Sequence, residues 1–154
     1  MINAFRIFKT KYASSCFDGE GAFRFGGRWN SPGTRIVYAA GSVSLAALEL
    51  LVHLNNEQRL ISYSLIEVSF DERLVMSVDD FRGLPKNWAD SPAPQAIQRI
   101  GDDWSNQMTS AVLKVPSAVI PSESNYLINI AHPKFGEIIL GEMVPFGFDP
   151  RLST

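Results

Sequence analysis

Residues 26–49, GGRWNSPGTRIVYAAGSVSLAALE, carry three different local signals in close succession. The paired glycines and the Ser31-Pro32-Gly33 turn signal a loop. RIVYAA, residues 35–40, is a short apolar run of the kind that forms a buried strand. Ser42 or Ser44 can then cap a helix in which Leu45, Leu48 and Val52 recur at helical spacing. At about 100° per residue these three fall within about 60° of one another, and Glu49 lies about 40° from Leu45, so a carboxylate borders the expected apolar face. Loop, strand and helix set Arg28, Tyr38 and Glu49 on successive elements, ten and eleven residues apart, close enough to converge.

Outward from this run, the chain keeps mixing strands and helices. Phe5 and Ile7 alternate with Arg6 and Phe8, which predicts an N-terminal strand. DGEGAFRFGGRWNSPG, residues 18–33, holds five glycines and is expected to stay free of helix. LISYSLIEVSF, residues 60–70, predicts a strand ended by Asp71 and Glu72. A passage punctuated by Pro85, Pro92 and Pro94 leads into a second helix, in which Ile97, Ile100 and Trp104 repeat at three and four. The remainder, AVLKV, SAVI between Pro116 and Pro121, NYLINI and EIIL, is expected to form short strands and connections. With no repeat and no linker, the reading is one α+β domain over residues 1–154.

Composition removes several classes. Fourteen Lys plus Arg against sixteen Asp plus Glu leave a net charge of -2 on 154 residues. A protein gripping nucleic acid through its phosphates needs a basic face, so direct nucleic-acid binding is not expected. At 45% hydrophobic and 19% charged residues the chain is globular, and a domain this long buries about 70% of its unfolded surface without needing staples. The single cysteine, Cys16, cannot close an internal disulfide, and its scarcity suits a reducing cytosol. No cleavable leader pattern and no run near the roughly 20 apolar residues of a membrane span are present. A soluble cytoplasmic protein is the expectation.

Familiar sites are also absent from the pattern. GEGAFR starts as a dinucleotide fingerprint but has Arg24 at the last glycine, and GAFRFGGR has Gly27 where a P-loop needs lysine. There is no GxSxG and no HExxH. His53 and His132 are the only histidines, so a zinc site or a Ser-His-Asp hydrolase is not expected. What remains is the trio. Arg28 offers a planar guanidinium suited to phosphate or carboxylate, Tyr38 a ring and a hydroxyl, and Glu49 a carboxylate with no Lys or Arg at helical neighbour positions. Such a group either pairs across the fold, with Arg28 or another distant arginine, or serves a ligand. For Tyr38 the competing role is core packing, for Arg28 a solvated loop, and Trp29 and His53 read as packing and helix-end residues.

These residues lie in blocks that resemble the RES-domain toxins of RES-Xre toxin-antitoxin modules. The blocks are FRIFKTKY, GGRWNSPGTRIVYAAGSVSLAALELLVHL, IGDDW, VPSAVIPSESNYLINIAHPKF and FGFDPRL. The resemblance implies an ADP-ribosyltransferase-like fold and an enzyme that depletes NAD, with NAD as substrate and no further cofactor or metal. It places the family arginine, tyrosine and glutamate on Arg28, Tyr38 and Glu49. The family serine falls on Ser117, with Ser122 as the alternative, and Asn125 shapes the same pocket. SES before Asn125 departs from the bulkier residue expected there. The implied reaction is hydrolysis or phosphorolysis of the nicotinamide-ribose bond. The alternatives are ADP-ribosyl transfer to a protein or other acceptor and, in another class, an RNA-directed toxin or noncatalytic binding module. An Xre-type helix-turn-helix antitoxin is the implied partner, and toxin homodimerisation within the complex is allowed for.

Overall fold

The computed structural model describes residues 1–58 and 61–152. Seven strands form one sheet: β1 (Ile2–Lys9), β2 (Val37–Ala40), β3 (Tyr63–Phe70), β4 (Val75–Ser77), β5 (Val112–Pro116), β6 (Ser124–Ile128) and β7 (Ile139–Phe146), in spatial order β4-β5-β6-β2-β1-β3-β7. Only β4 and β5 run parallel; the other pairs are antiparallel. Four helices accompany the sheet, α1 (Glu20–Phe25), α2 (Val43–Leu51), α3 (Val78–Phe81) and α4 (Gln95–Asn106). The result is the α+β single domain that the sequence implies.

Helices α2 and α4 pack on the same face of the sheet. Ile97, Ile100 and Trp104 of α4 are all buried, against Trp29, Leu113 and Leu127. Leu45 and Ala46 of α2 pack on Ala40, Phe5 and Ile7. The opposite face is lined by Ala4, Val37, Ala39, Val68, Phe70, Val112, Tyr126 and Ile128. Between β1 and β2 the ladder is nearly absent, with Phe5 opposite Ala40 as the one registered pair. Where the strands part, the Arg6 guanidinium donates to the Tyr38 carbonyl at 3.0 Å and to the Cys16 carbonyl at 2.9 Å. A side chain thus supplies the donor that a neighbouring strand would otherwise provide.

Several expectations need correction. The glycine stretch does contain a helix, α1, because its glycines sit mostly at the ends. Gly19 and Gly26 adopt left-handed φ values of 72° and 73° on either flank, a region that glycine enters without steric penalty. The Asp18 carboxylate accepts the Glu20 N–H, and Arg24 pairs with Glu20 one turn away at 2.6 Å. The face expected of α2 is wrong as well. Leu45 is buried, but Leu48 is 39% and Val52 60% exposed, since the helix rests on its Leu45–Ala46 side and Val52 lies beyond its last turn. The strand expected over residues 60–70 starts at Tyr63; Leu60 lies outside the described residues. SAVI forms a bend and not a strand, β4 and α3 were not foreseen, and β7 continues well past EIIL to Phe146.

Candidate active site

Glu49 is held by two neutral donors. Its Oε1 accepts from the Ser117 hydroxyl at 2.6 Å and from the Asn125 amide at 2.9 Å. Ser42 caps α2 by accepting the Leu45 N–H at 3.0 Å, which sets the helix that presents Glu49. Ser117 is fully buried, and its oxygen also accepts the Val119 and Ile120 N–H groups. With its lone pairs so occupied, its single proton is directed at Glu49. Oε2 of Glu49 makes no hydrogen bond and Glu49 no ion pair among the described residues, so the Arg28 pairing weighed from sequence is not formed. Ser122 is exposed and is not a partner of Glu49.

Tyr38 and Asn125 project from the same face of the sheet. Tyr38 opposes Leu127 and Ala40 opposes Asn125, so the two are diagonal neighbours, roughly 7–8 Å apart at Cα. The Tyr38 hydroxyl donates to Asn30 Oδ1 at 2.6 Å and accepts the Trp29 N–H at 3.1 Å. Burial pushes its pKa up, with the Arg28 guanidinium close enough to act weakly in the opposite sense. The hydroxyl is therefore a protonated strut of the glycine loop, while the ring remains the part that can face a ligand. A Cβ on Gly27 would sit 2.7 Å from that hydroxyl, which is why glycine occupies the position.

Arg28 projects from this loop and its Nη1 donates to the carbonyls of Asp90, at 2.9 Å, and Trp88, at 3.3 Å. Those acceptors belong to the proline-punctuated passage before α4. Asn30, completely buried, spreads its amide over the Ala22, Ser31 and Thr34 carbonyls. From outside the loop, α4 grips it at three points. Gln98 donates to the Gly27 and Asn30 carbonyls at 3.1 and 3.4 Å, Gly101 lies flush against Trp29, and Asp102 accepts both the backbone N–H and the hydroxyl of Ser31. Asp102→Ala is expected to free the Ser31 end of the loop. About 1–3 kcal/mol of local stability is at stake for the two donors left unpaired, and faster hydrogen exchange over residues 26–33 would report it.

Sequence reasoning missed Arg6 and this grip. The signal for Arg6 was a cation in the middle of an apolar strand; burial now pulls its pKa below the ordinary arginine value, partly offset by Cys16 and Asp18. No cluster of three or more His, Cys, Asp or Glu with metal-holding geometry occurs among the described residues. Two surface hollows, beside Cys16 and Ile66 and beside Ser105 and Asn129, are lined by none of Arg28, Tyr38, Glu49, Ser117 or Asn125.

Glu49 is thus clamped by Ser117 and Asn125, and Asn125 shares a sheet face with Tyr38, whose hydroxyl props the loop of Arg28, all within an α+β domain. The chain belongs to the RES domain family, whose model matches residues 3–149. It is 38% identical to a protein named Toxin Res from Yersinia enterocolitica, over 97% of this chain and 98% of that one. A Sphingobium protein named Prs ADP-ribosylating toxin is 36% identical over 92% of this chain and 89% of its own. In fold, a chain of the M. tuberculosis MbcT-MbcA toxin-antitoxin complex superposes with a TM-score of 0.73 at 19% identity, covering 94% of this chain and 84% of that one.

Proposed function

We propose that this protein is the toxin of a toxin-antitoxin pair and that it consumes NAD by cleaving the bond between nicotinamide and ribose. The observation that carries the reading is the Glu49 carboxylate, fixed through Oε1 by Ser117 and Asn125 with Oε2 left free. As the C1'–N bond breaks, its electron pair leaves with neutral nicotinamide and positive charge develops on the ribose. A pre-oriented carboxylate stabilises that charge without reorganising, as in glycoside hydrolysis, and no strong general acid is required. Water then attacks C1' and releases its proton to solvent, or an ionised oxygen of phosphate attacks with no proton to lose. Arg28 holds the pyrophosphate, the Tyr38 ring orients the nicotinamide end, and Ser117 and Asn125 hold Glu49.

The test is to incubate the purified protein with NAD and follow nicotinamide release. Arg28→Lys keeps the charge but loses the planar donor set that spans both the loop carbonyls and a phosphate. NAD binding in that variant is expected to weaken by roughly tenfold or more, the scale of a lost charge-assisted hydrogen bond. An unchanged KM would separate Arg28 from the substrate.

A second reading is transfer of ADP-ribose to a protein. The name of the Sphingobium relative favours it, and the carboxylate chemistry up to the ribosyl cation is the same. Mass spectrometry separates the two: free ADP-ribose or its phosphate on one side, a modified protein on the other. The partner we infer is an Xre-type helix-turn-helix antitoxin acting with the toxin in the cytoplasm. The MbcT-MbcA neighbour is itself a toxin-antitoxin complex, and the exposed Leu48 on the helix that carries Glu49, with the exposed Val52 just past its end, offers apolar contact. No helix among the described residues is long and apolar enough to cross a membrane.

A further inference from the structure

Among the described residues six polar ones are buried: Asn30, Thr34, Ser64, Ser105, Ser117 and Asn129. The side chains of four are hydrogen-bonded within the fold, Asn30 to the Ala22, Ser31 and Thr34 carbonyls, Ser64 to Thr10, Ser117 to Glu49 and Asn129 to the Ser105 carbonyl. Thr34 and Ser105 are as deeply set, 9% and 7% exposed, yet neither hydroxyl has a hydrogen-bond partner among the described residues. Such groups are uncommon, because each forfeits its bonds to water on folding and gains none in return. Both line the same hollow, of about 270 Å³.

The hollow lies where the far end of the glycine loop meets the last turn of α4: Thr34 comes from the loop, Ser105 and Asn106 from the helix, and Asn129 from the stretch after β6. Arg35 is the charged member of its lining and lies over the Phe23 ring, 4.3 Å from the centroid. Its Nη1 donates to Glu20 at 2.6 Å and to the Asp18 carbonyl at 3.4 Å, while Nε and Nη2 make no hydrogen bond among the described residues. Glu20 is shared with Arg24, so one carboxylate answers two guanidiniums. No acidic side chain lines the hollow. The last carbonyls of α4, those of Asp103, Trp104 and Ser105, already accept the Gln107, Thr109 and Met108 N–H groups, which blunts the negative end of the helix dipole. Pockets for drug-sized ligands start at about 300 Å³, so an occupant here is small.

We propose that this hollow binds a small hydroxylated anion, with its phosphate or carboxylate on the open edge of the Arg35 guanidinium and its hydroxyls on Thr34 and Ser105. A guanidinium edge offers parallel N–H donors to either anion, and each protein hydroxyl can both donate to and accept from a ligand hydroxyl. Occupancy also reaches the glycine loop. The Thr34 carbonyl accepts the Asn30 amide at 3.2 Å, and Asn30 in turn accepts the Tyr38 hydroxyl. On the other wall, Ser105 follows Asp102 along α4, and Asp102 holds Ser31. A ligand spanning Thr34 and Ser105 therefore ties the back of the loop to the helix that already grips it. The site is independent of the NAD reading, because its lining includes none of Arg28, Tyr38 or Glu49.

The test is titration calorimetry of the purified protein with glycerol 3-phosphate, with glycerate and with glycerol. At least one of the two anions is expected to bind with a Kd of about 1 mM or tighter, the tighter one telling phosphate from carboxylate. Glycerol, which lacks the charge, should bind about tenfold or more weakly. Thr34→Val and Ser105→Ala in one chain should weaken the anion by about tenfold or more. The same double variant should keep or raise the thermal transition, because both changes remove a buried hydroxyl that has no partner. Arg35→Gln should weaken binding as much, while Arg28→Lys leaves it unaltered. With the anion saturating, amide exchange over residues 26–34 should slow. Absence of binding by both anions at about 10 mM, glycerol binding as tightly as the anions, native affinity in the double variant, loss of binding in Arg28→Lys, or unchanged exchange over the loop would each overturn the proposal.

Discussion

Glu49→Gln is expected to lower nicotinamide release from NAD by about a hundredfold or more, the scale of one lost transition-state contact, with little change in stability. The side chain is anchored by two donors, the Ser117 hydroxyl and the Asn125 amide, both on Oε1. A glutamine in the same place satisfies both only with its carbonyl oxygen in that position. Its NH₂ must then occupy the place of Oε2, the oxygen that accepts no hydrogen bond among the described residues. A hydrogen-bond donor would face the carbon on which positive charge develops, in place of a negative oxygen. The loss should therefore appear in kcat more than in KM. A variant that turns over NAD at the native rate would remove Glu49 from the reaction, whatever its effect on folding.

Gly101→Ala is expected to be the most disruptive single-methyl change in the chain. The added Cβ would lie 1.7 Å from the Trp29 carbonyl oxygen and 2.8 Å from its carbon. These are backbone atoms and cannot rotate aside, so α4 and the glycine loop must separate. Overpacking of this kind typically costs about 1–3 kcal/mol and occasionally more, which in a domain this size lowers Tm by several degrees, at about 2–4 °C per kcal/mol. Because the displaced loop carries Arg28, KM for NAD should rise as well. Gly83→Ala, with nothing within 4 Å of the added carbon, serves as the control and should leave both quantities unchanged. Equal effects in the two variants would show that the close approach at Trp29 is not tight in solution.

Where one residue type and one period settle an element, the sequence was sufficient. Ile97, Ile100 and Trp104 announced α4 and are all buried; Phe5 and Ile7 announced β1; Ser42 and Ser44 were both candidate caps for α2, and Ser42 is the one that caps it. Glu49 stood out because its helix offers no cation, and Ser117 and Asn125 were in the right block to meet it. Contacts between distant stretches were illegible. Ser31 and Asp102 are 71 positions apart, and Arg28 reaches across 62 positions to a backbone carbonyl, an acceptor every residue possesses and no pattern reveals. The side of α2 that faces the core was misjudged because nine residues leave room for little more than one buried pair, and Leu45–Ala46 took it. Tyr38 offered a ring and a hydroxyl, with core packing as the competing role; its hydroxyl, beside the Trp29 N–H and the Asn30 amide oxygen, is used within the fold.

The single registered pair between β1 and β2 divides the sheet into two panels hinged at Phe5 and Ala40, with Arg6 filling the parting. Tyr38 and Asn125 belong to the panel β4-β5-β6-β2 and the exposed strand β7 to the panel β1-β3-β7, while α2, which carries Glu49, rests on both, on Ala40 of the one and on Phe5 and Ile7 of the other. Variation in one panel has few ladder hydrogen bonds through which to disturb the other. The two panels are therefore joined through the seat of α2 more than through the ladder, and a change at Phe5 or Ile7 reaches the helix of Glu49 from the far side of the parting.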